Sequence, residues 1–362
     1  MPEPTSSTPE PSPGRPPRRV RYRGTHPRQF HEKYKERQPE KYAADVAKVL
    51  ASGKTPAGTH RPILVQEILE VLAPRPGERA VDATLGYGGH ATEILRALQP
   101  GGLLYGLDAD PIELPKTEAR LRAAGFGPET LAVRRSNFAG LSQILSREQL
   151  GPVDVILADL GLSSMQIDDP GRGFTFKRTG PLDLRMNPQR GCSAAELLQT
   201  LDEGKLTRML VENADEPDAA RIAQGLVAAR KRGPIATTTA LAAAVREALE
   251  GLPGRSFSDE AADTVVRRVF QALRIQVNDE FSALETFLRF LPQCLNPGGR
   301  VAILTFHSGE DRRVKKAFAA GRASGEYARI AEDVVRPASE ELHANPRSSS
   351  AKLRWAVRGA GE

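Results

Sequence analysis

The run Asp82-Ala83-Thr84-Leu85-Gly86-Tyr87-Gly88-Gly89-His90 is the first stretch of this sequence whose residue types and spacing can do chemistry. It joins an apolar segment to a helical one. Glycines at such a turn let the backbone come close to a ligand, and the helix start behind them offers N–H groups that have no partner within the helix. Gly86-x-Gly88-x-x-Ala91 also meets the dinucleotide-binding spacing. About 20 residues on, Asp108 closes the next apolar segment, where a carboxylate can accept both hydroxyls of a ribose. Together these residues specify an adenosine-type cofactor, either NAD(H) or S-adenosylmethionine (SAM). A further carboxylate, Asp159, ends another apolar segment in Asp159-Leu160-Gly161-Leu162-Ser163-Ser164, and His307 ends a later one. His307 is placed to orient a substrate or take up a proton, or else to hydrogen-bond its own turn over 308–311. Of the two cysteines, Cys192 and Cys294, neither has metal-ligand spacing or a Pro-Cys nucleophile signature. No metal is expected, and a thiol attack on a pyrimidine ring is disfavoured.

The elements that must hold these groups follow from periodicity. Ile63, Leu64, Ile68, Leu69 and Leu72 have helical spacing, and Pro74 and Pro76-Gly77 stop the helix. Strands are expected at 79–84, 102–108, 130–135, 153–160 and 300–307, with helical stretches between them. Such alternation predicts an α/β fold with a parallel sheet covered on both faces. The pattern breaks at 168–263, an Ala/Leu/Arg-rich stretch with helical periodicity and no convincing strand. The expected organisation is an arm at 1–56, a cofactor domain formed by 57–167 and 264–362, and a helical insert at 168–263. In such a sheet Asp108, Asp159 and His307 all fall on the carboxyl edge, where ligands bind.

Three features select SAM over NAD(H). Asp82 lies four residues ahead of Gly86, where it can meet the cationic methionine end of SAM. Leu295-Asn296-Pro297-Gly298-Gly299 leads into a late strand, a turn familiar from class I methyltransferases. Asp159-Leu160-Gly161 stands where amino-methyltransferases place the motif that meets the substrate amine. An exocyclic amine needs an acceptor, a dry pocket and in-line approach to the methyl group, with no covalent enzyme adduct. The absence of a cysteine nucleophile agrees with that chemistry.

Composition narrows the setting. The chain has 362 residues, 40% hydrophobic and 27% charged, which is enough for a large core without disulfides. No apolar run is long enough to span a membrane and no apolar leader opens the sequence, so a reducing, cytoplasmic compartment without membrane contact is expected. Residues 1–60 hold 12 Lys and Arg against 6 Asp and Glu, so the whole net charge of +6 lies in the first sixth of the chain. Within it, basic residues interleave with Tyr22, Phe30 and Tyr34. Phosphate contacts and base stacking are the chemistry of that mixture, and a solubilising tail or a segment packed on the domain is the plainer reading. In Arg172-Gly173-Phe174-Thr175-Phe176-Lys177-Arg178, two aromatics flanked by basic residues can sandwich a flipped base and hold phosphates, or pack against the insert.

From Thr59 to Arg358 the sequence resembles the RsmH/MraW family. The landmarks are THRPILVQEIL, VDATLGYGGH, GLDADP, ADLGLSSMQIDDPGRGFTFKRTGPLDLRMNP, FQALRIQVNDE, LNPGGRVAILTFHSGEDRRVKK and NPRSSSAKLR. The resemblance implies a class I, Rossmann-like SAM-dependent methyltransferase that modifies N4 of a cytosine in the decoding region of 16S rRNA. Its partner would be 16S rRNA within the small ribosomal subunit or a late precursor of it, and a homodimer is possible. It also implies SAM contacts at Gly88, Gly89, His90, Asp108, Phe138, Asp159 and Gln166. Asp159 and His307 are the catalytic candidates. The alternatives are an rRNA-binding assembly factor without turnover and N4 methylation of another nucleic acid. Three places depart from the family pattern. Gly309 stands where a leucine is usual, Asn213-Ala214-Asp215-Glu216 blurs the usual YGEE, and the segment before Phe270 lacks the usual PA-T-R.

Overall fold

The computed structural model describes residues 62–250 and 257–360, so the basic arm lies outside the described residues. Seven strands form one sheet: β1 (Arg79–Asp82), β2 (Leu103–Asp108), β3 (Leu131–Arg135), β4 (Val153–Asp159), β5 (Leu295–Thr305), β6 (Tyr327–Ile330) and β7 (Lys352–Arg358). Their order is β3-β2-β1-β4-β5-β7-β6. The first five run parallel, and β7 is antiparallel to both β5 and β6. All five expected strands are present. Two features differ from the expectation. β5 begins at Leu295, because the Pro-Gly-Gly turn is a bulge inside the strand: the pairing jumps from Val153–Leu295 to Val155–Arg300. β6 and β7 were not expected, since Lys352, Arg354 and Arg358 leave β7 without the continuous apolar run of the inner strands. The first two of these charges are neutralised by Asp311, at 3.1 and 2.6 Å.

Alternate residues of each strand enter opposite faces. Ile156 and Ile303 join Phe287, Leu291 and Phe318 in one core, while Leu157 and Leu304 join Ile68, Leu72, Ile94 and Leu95 in the other. The helices that supply these residues include α1 (Val65–Leu72), α2 (Gly89–Ala97), α3 (Leu114–Ala123), α4 (Leu141–Arg147) and a short α5 (Ser164–Asp168). The chain order reverses between β1 and β4. The loops leaving their carboxyl ends diverge there and open a crevice, as in other open α/β sheets.

The helical part comprises α6 (Ala194–Thr200), α7 (Glu203–Ala214), α8 (Ala219–Arg232), α9 (Thr238–Glu250) and α10 (Asp259–Asn278). It has its own core, with Leu210, Ile222, Leu226, Leu241, Val245, Val266 and Leu273 among its buried residues. The expected division at 263/264 falls inside α10, whose apolar face stays in the helical core as far as Leu273. The hand-over to the sheet comes at Asp279 (φ 50°), which ends α10 and starts α11 (Glu280–Phe290). Leu284 and Phe287 of α11 already belong to the sheet core. α12 (Ser308–Ala323) and α13 (Ser339–Ala344) complete the molecule. Among the described residues no helix is long and apolar enough to cross a membrane.

Candidate active site

A cleft of about 1220 Å³ opens at the carboxyl edge, between the sheet and the helical part. Gly88 and Gly89 form one wall. Gly88 (φ 83°) precedes α2, which starts without a side-chain cap, so among the described residues no side chain takes up the N–H groups of its first turn. At Gly89 a side chain has no room: a Cβ would lie 2.4 Å from Pro62 Cγ. Asp108 closes β2 and accepts from the amides of Gly86 and Asp110, each at 2.8 Å. These bonds orient the carboxylate and leave lone pairs for ligand hydroxyls. Burial pushes its pKa up, against the pull of those amides.

Gln166 lies in the first turn of α5. Its Oε1 accepts from Ser163 N at 2.9 Å, and its Nε2 donates to Asp110 at 2.8 Å. Asp110 is fully buried and also accepts from Arg172 at 2.7 Å and from Ile112 N at 2.8 Å. Burial acts to raise the Asp110 carboxyl, but the bonds from Arg172 and Gln166 outweigh it and hold the pKa low. Phe138 stands on a single 3-10 turn after β3 and packs edge-on against Phe287, with centroids 5.5 Å apart.

Asp159 ends β4. Its amide N–H donates to Thr84 Oγ1 at 2.6 Å. Among the described residues its carboxylate accepts no hydrogen bond, and His90 Nδ1 lies 3.5 Å from its Oδ2. Burial, followed by the Glu310 carboxylate, pushes Asp159 up to about 7. His90 is buried, which lowers its pKa, and its Nε2 contacts Ile63 O at 2.9 Å. All seven expected cofactor residues, Gly88, Gly89, His90, Asp108, Phe138, Asp159 and Gln166, line this one cleft.

Other expected residues are placed elsewhere. His307 is not on the cleft wall. It precedes α12, its Nδ1 accepts from Glu310 N at 3.4 Å, and its Nε2 is 3.1 Å from Glu310 Oε1. That is the turn-capping alternative, and it leaves His307 without access to a substrate. Asp82 is buried beneath the wall and reaches no ligand surface. Phe174 and Phe176 pack on the helical core, Phe176 with its ring 5.6 Å from that of Phe270, so they do not form a base sandwich in the cleft. Arg172 is buried in its pair with Asp110 and holds the carbonyls of Arg185 and Met186, so it is not a phosphate contact. Asp183 and Arg185 pair through two bonds of 2.7 Å. Neither cysteine lines the cleft, and burial raises the Cys294 thiol to about 11.

Several cleft residues had no role assigned from sequence. Glu310 lies on the wall, buried, with Phe306 N donating to it at 2.8 Å. Arg274 and Glu280 form a two-bond pair at 2.8 and 2.9 Å. Asn278 ties the loop 184–186 to the end of α10, donating to Leu184 O and accepting from Met186 N, each at 2.7 Å. The signal was present in FQALRIQVNDE and HSGED, where helical periodicity marks the apolar face but not which polar residues at the helix ends meet the cleft. The glycine at 309 also acquires a reason. A Cβ there would lie 2.6 Å from Phe281 Cζ, so the Phe281 ring occupies the space that a leucine would need. That ring is covered by the Arg313 guanidinium, 3.5 Å from its centroid.

The site fits SAM. It offers an uncapped helix start behind a glycine turn, an oriented carboxylate at the end of β2, an aromatic face and a carboxylate lacking a donor. A thioether-bearing adenosine with a cationic amino-acid tail can use each of them, and the cleft has room for a second nucleoside beside it.

A family model described as the MraW methylase family matches residues 57–359. The Ribosomal RNA small subunit methyltransferase H 1 of Lachnoclostridium phytofermentans is 53% identical over 342 residues, covering 94% of this chain and 93% of its own. The Ribosomal RNA small subunit methyltransferase H 2 of Alkaliphilus metalliredigens is also 53% identical, over 94% of this chain and 97% of its own. The Ribosomal RNA small subunit methyltransferase H of Acidothermus cellulolyticus is 40% identical, over 84% of this chain and 95% of its own.

Proposed function

Since the chain belongs to the MraW methylase family, we propose that it methylates the exocyclic N4 amine of a cytosine in the decoding region of 16S rRNA. It is a SAM-dependent methyltransferase acting on small-subunit rRNA. The choice of N4 is supported by one observation: at the end of β4 the wall carries a carboxylate, Asp159, that accepts no hydrogen bond among the described residues, and neither cysteine is among the lining residues. An amine needs such an acceptor, whereas ring-carbon methylation needs a nucleophile.

When bound, SAM supplies a methyl group on a sulfonium whose sulfur keeps the bonding pair as the methyl leaves. The chain does the rest. The α2 start and Gly88-Gly89 hold the cofactor against the sheet edge, and Asp108 accepts its ribose hydroxyls. Phe138 offers a face to the base, and Gln166 is fixed by Ser163 and Asp110 so that one Nε2 hydrogen remains to donate. Asp159 accepts a hydrogen of the substrate amine and orients the nitrogen lone pair. It takes the proton that the nitrogen must release once a methyl is added. His307 acts on Glu310 and has no part in this step.

The helical part, with its core running through α10, is the RNA-recognition unit in this reading, and the sheet with α11 to β7 is the catalytic unit. Of the arginines on the cleft wall, Arg135, Arg190 and Arg267 form no ion pair with a carboxylate among the described residues. They come from β3, the loop before α6 and α10, and would track phosphates. The substrate is the small subunit or a late precursor of it, which places the protein in the cytoplasm, and a homodimer remains part of the proposal. The test is methyl incorporation from radiolabelled SAM into purified small subunits, with nuclease digestion and mass spectrometry locating the mark. N4-methylcytidine is the expected product. SAM and rRNA binding without incorporation would favour the assembly-factor reading. Replacing both thiols, Cys192→Ala with Cys294→Ala, should leave turnover within several-fold, and loss of turnover in a folded protein would reopen ring-carbon chemistry.

A further inference from the structure

We propose that His90 is a positioning residue for methyl transfer, its Nδ1 holding the proton that Asp159 takes from the substrate amine. The proposal rests on the role given to Asp159 above. Its basis is the tautomer that the fold imposes. His90 Nε2 lies 2.9 Å from Ile63 O. A carbonyl can only accept, so Nε2 carries the hydrogen, and in the neutral ring Nδ1 has only a lone pair. That lone pair faces Asp159 Oδ2 across 3.5 Å. Two acceptors attract each other only with a proton between them. The separation is long for a hydrogen bond, as contacts in a free enzyme often are before substrate tightens them.

The order is the reverse of the Ser-His-Asp arrangement, in which the carboxylate accepts from an imidazole N–H. Here the carboxyl faces the substrate and the imidazole stands behind it. When the amine nitrogen gains a methyl group, one N–H bond breaks and its electron pair stays on nitrogen. An O–H bond forms on Asp159, and that O–H donates to His90 Nδ1. Water takes the proton when product leaves. The charged surroundings suit a single proton on the carboxyl. Asp82 from β1 and Glu341 from α13 face His90, and Glu310 from α12 faces Asp159, with Asp82 beside it. Burial moves Asp159 up to about 7 and moves His90 down, so burial favours the neutral acid against a neutral ring.

The first test uses the free protein and needs no turnover. Nitrogen-15 labelling of its six histidines permits long-range NMR correlation of the ring nitrogens over a pH series. His90 should show the Nε2–H tautomer, with Nδ1 shifting as Asp159 loses its proton near pH 7. In Asp159→Asn the amide donates at every pH, so the Nδ1 signal should stop responding. An Nδ1–H tautomer, or a response that survives in Asp159→Asn, overturns the proposal whether or not the N4 reading stands. The second test is His90→Phe, which keeps an aromatic ring and has neither nitrogen. Single-turnover rates should fall roughly tenfold, and the rising pH limb should move about one unit lower, because the protonated carboxyl has lost its acceptor. SAM affinity, measured in parallel, separates loss of a cofactor contact from loss of the acceptor. Lost affinity with an unmoved pH limb would make His90 only part of the cofactor wall.

Discussion

At the scale of single residues, the site is a set of carboxylates kept in different states by their surroundings. Asp108 is oriented by two amides and has lone pairs left over. Asp108→Ala should therefore lose a charge-assisted two-point contact, roughly 2–4 kcal/mol or about 30- to 1000-fold in SAM affinity. Calorimetry giving near-parental affinity would remove Asp108 from the site. Asp82 is different: it is buried, off the cleft wall, and pushed up to about 7 by burial. In the unfolded chain the same carboxyl titrates near the ordinary value of about 3.9. Between those values the folded state holds a proton that the unfolded chain releases. Stability therefore falls as pH rises through that window, and the cost persists above it. Asp82→Asn removes the charge, so its melting temperature should fall less between pH 5 and pH 8 than the parent's, by the equivalent of roughly 1–4 kcal/mol. Asp159 shifts in the same direction and remains in the variant, so some slope should survive. A variant whose pH dependence matches the parent's would show that Asp82 titrates in the fold as it does in the unfolded chain.

At the scale of elements, the buried Arg172–Asp110 pair joins the loop after β2 to the base of the helical part. Deleting one partner of a buried pair leaves the other charge stranded, at about 3–5 kcal/mol. Arg172→Met should lower urea stability by that amount, and adding Asp110→Asn should recover part of it. A double variant whose loss equals the sum of the two single losses would mean that the pair is not coupled. The same elements show what could be read in advance. The Gly-rich turn, Asp108 and Asp159 were legible because they mark strand ends, and strand ends in a parallel sheet converge on one edge. Arg172 was misread as a phosphate contact because a basic residue between glycines and aromatics looks exposed, while its acceptor, Asp110, is 62 residues away in sequence. Phe174 and Phe176 were ambiguous for the same reason: sequence shows an aromatic but not which core it enters. His307 shows the limit most plainly. A histidine at a strand end on the right edge was a fair candidate, and the decision between substrate and helix cap lay with Glu310 three residues on.

At the scale of the whole molecule, charge and chain order both count. The arm ahead of residue 57 holds the net charge, and the alignments with the two relatives at 53% identity take in 94% of the chain, against 84% for the one at 40%. The first two therefore share most of the arm with this chain. Deleting residues 1–56 should leave SAM affinity unchanged and weaken RNA binding, with the log–log salt slope flatter by about 0.7–0.9 for each phosphate that the arm had neutralised. Sequence selectivity should barely change, because phosphate contacts position and base contacts specify. Parallel salt curves for the two proteins would mean that the arm does not touch the RNA. Chain order has a separate consequence for how the protein is made. β4 and β5 are neighbours in the sheet, yet the 135 residues from 160 to 294 lie between them. At about 5–20 residues per second, a nascent chain carries β4 as a bare, apolar strand edge for roughly 7–27 s before its partner is synthesised. By then it already holds every expected cofactor residue. A chain released early, at about residue 290, should thus keep its ligand-binding residues and still be removed by aggregation through that open edge.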